Sequence, residues 1–318
     1  MKTSRLQFFS NRITFLALMI VVLTIGLSFV SPYFLSLHTL LDMTQFGALT
    51  ALLGMGQTLV IVGGRGGIDL SVGAIVSLAG VLMAMLVRAG INIGLACLLC
   101  VVIGALMGFI NGILVAWLNL PPLIATLGTS YVYSSIALVI TSGIPVSGLP
   151  ESFSFLGHGQ ILGVPAQVFL VVIPAFLFLS WFVENTTFGR TIYMTGVNDT
   201  AARLAGVNVR QVRTLLYAVS GALAGLAAIV ATSWLMGAKP DIGVGYDMQS
   251  ITVAVLGGTS MAGGEGRLAG TMMAVIIITM ISYGMQLGNI NSVWQLAVIG
   301  ALLLGSIITN NFLESRRG

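Results

Sequence analysis

An aspartate and a serine interrupt a strongly apolar part of this sequence, at Asp69 and Ser71 within the segment GGIDLSVG (66–73). An acidic or hydroxyl side chain at the start of a helix is stabilised by unpaired backbone N–H groups and by the positive end of the helix dipole. At membrane depth, an interrupted helix is tolerated only beside other protein or a wet cavity. The segment therefore has two compatible interpretations, a helix cap or part of the lining of a solute path.

A second polar segment runs from Glu184 to Arg213 between two apolar stretches, and it is too polar to span a bilayer. Its middle part, DTAARLA (199–205), begins with an acid and continues with small residues, which predicts a short helix along the membrane surface. Such a helix offers a shallow face on which another protein can dock. An ordinary solvated loop explains the same pattern equally well, so both interpretations stay open.

The glycine-rich run GGTSMAGGEGR (257–267) does not predict a phosphate site. No strand–helix unit surrounds it, and its glycine spacing differs from that of nucleotide-binding fingerprints. A P-loop also needs a lysine directly after glycine, whereas the two lysines, Lys2 and Lys239, follow other residues. The chain is therefore not expected to hydrolyse ATP by that route.

Histidine and cysteine are too few and too scattered to predict a reactive centre. His38 and His158 are far apart in sequence and fall in predicted loops, while Cys97 and Cys100 lie in an apolar run without further ligands. No nucleophile and base occur at a catalytic spacing. The sequence therefore predicts a protein that is not an enzyme, with no catalytic residue, no metal site and no cofactor.

The elements that must position these residues are membrane helices. Only 7% of the 318 residues are charged and 57% are apolar, whereas a soluble domain carries about 25% charged residues. Between Arg88 and Glu151 lie 62 residues without a charged side chain, more than twice the roughly 20 that cross a bilayer once. The basic residues are scattered singly, which argues against nucleic-acid binding. We expect an all-α integral membrane protein with one transmembrane domain over residues 1–318.

Hydropathy and Gly/Pro punctuation predict a polytopic bundle of about ten transmembrane helices, at 13–31, 45–62, 68–87, 93–117, 122–142, 166–183, 214–235, 249–262, 269–287 and 293–310. The first apolar stretch is longer than the 7–15 residues of a secretion signal. Ten spans place both termini on one side, together with the basic residues of 184–213. The positive-inside rule makes that side cytoplasmic and leaves Arg88 and Lys239 outside.

Glycines at four-residue spacing predict closely packed helices; they are Gly104, Gly108 and Gly112 in one span and Gly221 and Gly225 in another. A faint similarity also links residues 60–83 with 255–273, because in both an apolar run meets a glycine-rich break and then the start of a helix. Transporter bundles are often built from repeated halves with interrupted helices. An internal repeat is therefore possible.

Four motifs occur in order along the chain, GGIDLSVG (66–73), NGILVAWLNLPPLIATLGT (111–129), FGRTIYMTGVNDTAARLAGV (188–207) and VLGGTSMAGGEGRLAGT (255–271). With them the chain resembles the ribose-type sugar permeases of bacterial ABC importers over nearly its whole length. One difference is the sequence Gly63-Gly64-Arg65 before the first motif, where such permeases run into it directly from an apolar span. The resemblance implies a permease in the bacterial inner membrane that pairs with a second copy or a related permease. Its partners would be cytoplasmic ATPase subunits, an external solute-binding protein and membrane lipid.

The resemblance also implies residue roles. In such importers a short helix of a cytoplasmic loop docks into a groove on the ATPase, and the matching stretch here is 195–208, within the loop 184–213. The candidate coupling residues are Gly196, Asn198, Ala201, Ala202, Leu204 and Gly206. Movement of this stretch would reorient the helices around a path lined by Asp69, Ser71 and Asn111.

The resulting hypothesis is alternating access for a small sugar or sugar-like solute, driven by ATP in a partner. The alternative is an ion-coupled secondary transporter with Asp69 as the proton carrier, because carboxylates buried in membranes are costly and often functional.

Overall fold

The computed structural model describes residues 12–30, 34–291, 294, 297–302, 304 and 305, and most of them are helical. The helices are α1 (Arg12–Val30), α2 (Leu37–Val62), α3 (Val72–Arg88), α4 (Ile93–Ala116), α5 (Pro122–Thr141), α6 (Ser154–His158), α7 (Ile173–Asn185), α8 (Thr187–Val197), α9 (Asp199–Leu204), α10 (Val209–Leu235), α11 (Tyr246–Leu256) and α12 (Leu268–Leu287). Residues 297–302 are also helical.

The remaining regular elements are short. The strands are β1 (Val146–Ser147), β2 (Gln160–Ile161), β3 (Val164–Pro165) and β4 (Gly237–Ala238). β1 pairs with β4 and β2 with β3, both antiparallel. A 3-10 turn covers Glu151–Phe153, and a π-helical turn at Val168–Val172 leads into α7.

The predicted all-α membrane class is confirmed. Among the described residues, six helices are long and apolar enough to cross a membrane, namely α2, α4, α5, α10, α12 and the continuous helix Val168–Asn185. Two shorter apolar helices lie at Ile13–Phe29 and Val72–Arg88. The predicted count of about ten is therefore only loosely matched, and most of its last member, 293–310, lies outside the described residues.

Two predicted helix boundaries are wrong for local reasons. The span expected at 249–262 ends at Leu256, because Gly257 caps the helix and Gly258 takes a left-handed φ of 108°. The helix expected from residue 68 begins only at Val72. The residues before it form an irregular segment whose backbone groups are bound by side chains of neighbouring helices.

α2 is the central helix, because every residue from Gly47 to Val62 is buried. It packs against α10, α11 and α12. By contrast, Leu179 and Val183 are the buried residues of α7, and its other side chains are half-buried or exposed.

The glycine spacing predicted from the sequence marks the contact between α4 and α10. A Cβ atom on Gly108 would lie 2.1 Å from the carbonyl oxygen of Tyr217, and one on Gly221 would lie 2.1 Å from that of Gly104. Backbone approaches this close exclude every residue but glycine. The prediction that these glycines serve packing is confirmed.

The two ends of the bundle differ in charge. α2 ends beside α8, and on this end lie six arginines: Arg65, Arg190, Arg203, Arg210, Arg213 and Arg267. We call it the basic end. Arg88, at the end of α3, and Lys239, after β4, lie at the opposite end.

Candidate functional site

Asp69 lies in the buried segment between α2 and α3, and its exposed fraction is 0%. One carboxylate oxygen accepts hydrogen bonds from the Ser71 hydroxyl at 2.6 Å and the Ser71 backbone N–H at 3.0 Å. The other oxygen accepts from the Ser220 hydroxyl on α10 at 3.0 Å. In the described part of the chain, no cation forms an ion pair with this carboxylate. Neutral hydrogen-bond donors therefore hold it in place.

Asn111 extends this network to α4 and α5. Its amide nitrogen donates to the Ser71 hydroxyl at 2.7 Å, and its amide oxygen accepts from the Thr129 hydroxyl at 2.7 Å. Asp69, Ser71 and Asn111, the three predicted path residues, are thus joined in one chain of hydrogen bonds. All three are 0% exposed, so no open passage reaches them in this conformation.

The backbone around Asp69 is held as tightly as its side chain. Gln57 on α2 binds both backbone groups of Asp69 when its side-chain amide is oriented to satisfy them. The amide nitrogen then donates to the Asp69 carbonyl at 3.1 Å, and the amide oxygen accepts from the Asp69 backbone N–H at 3.2 Å. The Thr126 hydroxyl of α5 accepts from the Leu70 N–H at 3.1 Å. The Tyr217 hydroxyl of α10 donates to the Ile68 carbonyl at 3.3 Å. Irregular backbone at this depth is stable because helices on every side satisfy its polar groups.

We call this set the aspartate network: Gln57, Asp69, Ser71, Asn111, Thr126, Thr129, Tyr217 and Ser220. Three of its members, Asp69, Ser71 and Asn111, were predicted from the sequence. Gln57 could also have been predicted from the sequence, since an amide in the middle of an apolar span needs a polar partner. Ser220 and the two threonines could not have been predicted, because hydroxyls in membrane helices usually bond to the carbonyl four residues back.

The segment predicted to couple to a partner forms two helices, α8 and α9. Asn198 separates them, and its side-chain oxygen accepts from the N–H groups of Thr200 at 2.9 Å and Ala201 at 3.0 Å. This is an N-cap, which fixes the start of α9 one residue later. The short helix expected at 199–205 is therefore present at Asp199–Leu204.

The six candidate coupling residues do not share one face. Ala202 is 1% exposed and faces the rest of the chain, whereas Leu204 is 85% exposed. Ala201 and Gly206 are also exposed. Asn198 serves as the cap, and Gly196 is packed against the backbone of two other segments. The outward face of α9 thus presents Ala201 and Leu204.

Gly196 lies where three glycine-containing segments meet. A Cβ atom on it would lie 2.0 Å from the Val62 carbonyl oxygen and 2.3 Å from the Gly264 nitrogen. One on Gly64 would lie 2.7 Å from the Gly196 Cα, and one on Gly263 would lie 2.4 Å from the Gly64 Cα. We call Gly64, Gly196, Gly263 and Gly264 the glycine junction. Two of the sequence motifs and the turn that precedes a third therefore contact one another backbone to backbone.

Hydrogen bonds tie the glycine junction together. The Gly264 N–H donates to the Val62 carbonyl at 2.9 Å. The Tyr193 hydroxyl of α8 donates to the Gly266 carbonyl at 2.9 Å. Burial raises the pKa of Tyr193, and the carboxylate of Glu184 raises it further, so this hydroxyl stays protonated and remains a donor at neutral pH. The loop 257–267, which had no predicted role, joins α8 to the end of α2.

The turn before the GGIDLSVG motif has an unusual backbone. Gly64, Arg65 and Gly66 follow one another with φ values of 79°, 58° and 63°. A left-handed arginine is uncommon, and its guanidinium donates to the Asn119 side chain at 3.1 Å. The sequence Gly63-Gly64-Arg65, which distinguishes this chain from the family pattern, thus forms a left-handed turn that leads from α2 into the aspartate network.

α2 and α11 end in the same way, which supports the internal repeat. Gly63 and Gly257 cap them with φ, ψ of −61°, −8° and −67°, −10°. The next residue in each case is a glycine with positive φ, Gly64 at 79° and Gly258 at 108°. A glycine-rich loop then leads into the next long helix. The two halves thus share one helix–break–helix pattern.

Comparisons with known proteins agree on one family. Residues 39–307 match the family described as branched-chain amino acid transport system / permease component. The chain is 37% identical over 318 aligned residues to the ribose import permease protein RbsC of Bacillus subtilis, covering 97% of this chain and 98% of that protein. It is 35% identical over 296 residues to the ribose import permease protein RbsC of Escherichia coli, covering 92% and 91%. The autoinducer 2 import system permease protein LsrC of Escherichia coli is 36% identical over 310 residues, covering 97% and 90%. No solved structure matches the chain significantly.

Proposed function

Because the chain belongs to the ribose-type permeases of the branched-chain amino acid transport system / permease component family, we propose that it carries a small sugar or sugar-like solute across the membrane within an ATP-binding-cassette importer. It is a transport permease and not an enzyme, so ATP hydrolysis resides in a separate subunit. Permeases of this class work with an ATPase and a solute-binding protein. The relatives named for ribose and for autoinducer 2 support a sugar-like solute.

The contact between α8–α9 and the glycine junction is the observation that carries this proposal. α9 exposes Leu204 and Ala201, and this face is where the ATPase docks. The preceding helix, α8, is fixed by Gly196, which leaves no space for a side chain against α2 and the loop 257–267. A push on α9 therefore moves the ends of two interrupted helices without intervening side chains that could absorb it.

The next step leads from the glycine junction to the aspartate network. Six residues lie between Val62 and Asp69, and this short turn is rigidly held at both ends. Movement of Gly64 displaces Asp69, whose bonds reach α4, α5 and α10 through Asn111, Thr129 and Ser220. The aspartate network is thus the element that links ATPase movement to helix rearrangement in alternating access. Asp69, Ser71 and Asn111 come to line the path when it opens.

Orientation and assembly follow the same proposal. The six arginines of the basic end support a cytoplasmic location for that end under the positive-inside rule. Both termini then lie in the cytoplasm, and Arg88 and Lys239 lie outside. A second permease, identical or related, completes the membrane assembly, and lipid covers the remaining apolar helix faces.

Proton-coupled transport through Asp69 is not favoured. The relatives are named as import permeases for ribose or for autoinducer 2. In addition, Asp69 is itself 0% exposed, and its polar partners Ser71 and Ser220 are buried as well.

The solute class can be tested on the purified system. Calorimetry of the cognate solute-binding protein with ribose, arabinose, galactose and rhamnose identifies its solute. Uptake of that labelled solute is then measured in vesicles containing this chain, the binding protein and the ATPase. ATP-dependent uptake of a sugar is the expected result. Binding of amino acids and of no sugar would contradict the proposal.

A further inference from the structure

A cavity of about 250 Å³ lies between α2, α11 and α12, towards the end of the bundle opposite α8 and α9. Its size is just below the roughly 300–1,000 Å³ of pockets for drug-sized ligands, so it suits a small solute. Uncharged polar groups and aromatic rings line it, among them Thr50, Gln249, Thr279, Tyr246, Tyr283 and Phe46. The aspartate network does not contribute to it.

Polar groups of the cavity are arranged on two facing helices. The Thr50 hydroxyl on α2 donates to the side-chain oxygen of Gln249 on α11 at 3.1 Å. Gln249 thus has its acceptor engaged, and its amide nitrogen makes no hydrogen bond to the described residues. Gln249 lines the cavity, so this nitrogen is a donor there without an acceptor among the described residues.

Aromatic rings form another part of the wall. The rings of Phe46 and Tyr283 have centroids 5.7 Å apart and are tilted by 55°. Ring faces pack well against the C–H surfaces of a sugar, while amides and hydroxyls bond to its hydroxyl groups. None of the described lining residues is charged, and the carboxylate of Asp42, which lies close to Tyr283, disfavours a nearby anion. The wall therefore suits a neutral, polyhydroxylated molecule.

Below the cavity, the same three helices close tightly. A Cβ on Gly54 of α2 would lie 2.5 Å from a methyl group of Val253 on α11. The hydroxyls of Thr58 and Thr271 are 2.7 Å apart and hydrogen-bonded. The cavity is thus closed towards the middle of the bundle, and its floor lies on the helix that also carries Gln57 of the aspartate network. Movement of α2 would therefore move both the cavity floor and the aspartate network.

We propose that this cavity is a contact site for a neutral, polyhydroxylated solute at the outer end of the transport path. Gln249 donates from its amide nitrogen, Thr50 orients that amide, and the Tyr283 ring packs against the C–H face. The proposal rests on the proposed function and deepens it, because it names the chemistry of the solute and the residues that contact it.

The first test measures labelled ribose uptake, and ATP hydrolysis, in vesicles containing the chain, its ATPase and its binding protein. Gln249→Leu and Thr50→Val should each lower uptake by about tenfold, the effect of one lost hydrogen bond, while ATP hydrolysis persists. Thr50→Ser, which keeps the hydroxyl, should restore uptake. Thr44→Val is the matched control, because Thr44 is an exposed threonine on the same helix. Unchanged uptake in Gln249→Leu, or equal losses in Thr50→Ser and Thr50→Val, would overturn the site.

The second test does not depend on transport. In protein lacking Cys97 and Cys100, Gln249→Cys should react with a water-soluble cationic methanethiosulfonate faster than Val253→Cys, which is one turn further along α11 and 0% exposed. Equal rates would overturn the proposal, because the cavity would then be closed to water. If the unaltered complex takes up none of ribose, arabinose, galactose and rhamnose while Gln249→Cys reacts quickly, the fault lies in the assigned function and not in the cavity.

Discussion

Arg213, near the start of α10, holds Asp199, the first residue of α9, through both carboxylate oxygens. The Nη1–Oδ2 distance is 2.7 Å. The same guanidinium donates to the Gly63 carbonyl at 3.4 Å, so one buried side chain connects α9, α10 and the end of α2. A bidentate arginine–carboxylate pair fixes orientation as well as distance. The candidate docking helix is therefore anchored to the bundle by a rigid contact.

Replacement of Asp199 tests this anchor. Asp199→Ala should lower the free energy of unfolding by about 2–4 kcal/mol, because it leaves the Arg213 charge buried without its partner. Thermal unfolding of the detergent-solubilised chain measures the change. Arg203→Ala is the control, since Arg203 is 56% exposed and 3.9 Å from the same carboxylate, and such a pair contributes at most about 1 kcal/mol. Equal losses in the two variants would contradict the anchoring role.

The glycine junction predicts a separation of ATP hydrolysis from transport. In Gly196→Ala the new Cβ would lie 2.0 Å from the Val62 carbonyl oxygen, so α8 must shift away from α2 at a cost of about 1–3 kcal/mol. Uptake should fall at least about tenfold, while the assembled complex still hydrolyses ATP. Gly128→Ala on α5, where no atom lies within 4 Å of the added Cβ, should leave both activities unchanged. Coupled transport at the normal rate in Gly196→Ala would show that the junction does not transmit movement.

The outward face of α9 predicts where the ATPase binds. Leu204 is 85% exposed at the basic end, so Leu204→Glu should not affect folding. It should weaken the complex by about 2 kcal/mol or more, as expected for a central apolar contact. Co-purification of the ATPase with the chain measures this loss. Val244→Glu is the matched control, because Val244 is 81% exposed at the opposite end. Unimpaired co-purification of Leu204→Glu would place the ATPase elsewhere.

Asp69 distinguishes the two transport hypotheses. In Asp69→Asn the amide oxygen can still accept both bonds from Ser71, and the amide nitrogen can donate to the Ser220 hydroxyl. ATP-driven uptake should therefore fall only a few-fold, whereas Asp69→Leu should abolish it because several buried donors lose their acceptor. A proton carrier would lose transport completely in both variants. Uptake of the labelled solute, measured side by side in the two variants, distinguishes ATP-driven transport from a proton-carrier role of Asp69.

Hydropathy and spacing sufficed to predict the membrane class, the packing role of the glycines in α4 and α10 and the short helix α9, but not that α4 and α10 contact each other. Each depends on local pattern, such as the cap at Asn198 or the four-residue recurrence that begins at Gly104. The bond between Asp69 and Ser220 could not be predicted, since the two residues are 151 positions apart and their approach depends on how α3 and α10 cross.

The end of α11 was misjudged for a related reason. Residues 257–262 are uncharged and so compatible with a span, but Gly257 and Gly258 cap the helix, and the loop is held by Gly196 of a distant segment. Burial of Ala202 was likewise invisible in the sequence, because its small side chain suits an inner and an outer face equally. Tertiary contacts, and not local preferences, determine where α11 ends and that Ala202 is buried.

Reconstituted vesicles give the most direct test of the central claim that this chain conducts solute only when an ATPase acts on it. Uptake of the identified sugar is measured with the chain, ATPase and binding protein present, and again with the chain alone under an imposed proton gradient. We predict concentrative uptake that requires ATP in the first case and none in the second. Uphill uptake by the chain alone would contradict the account.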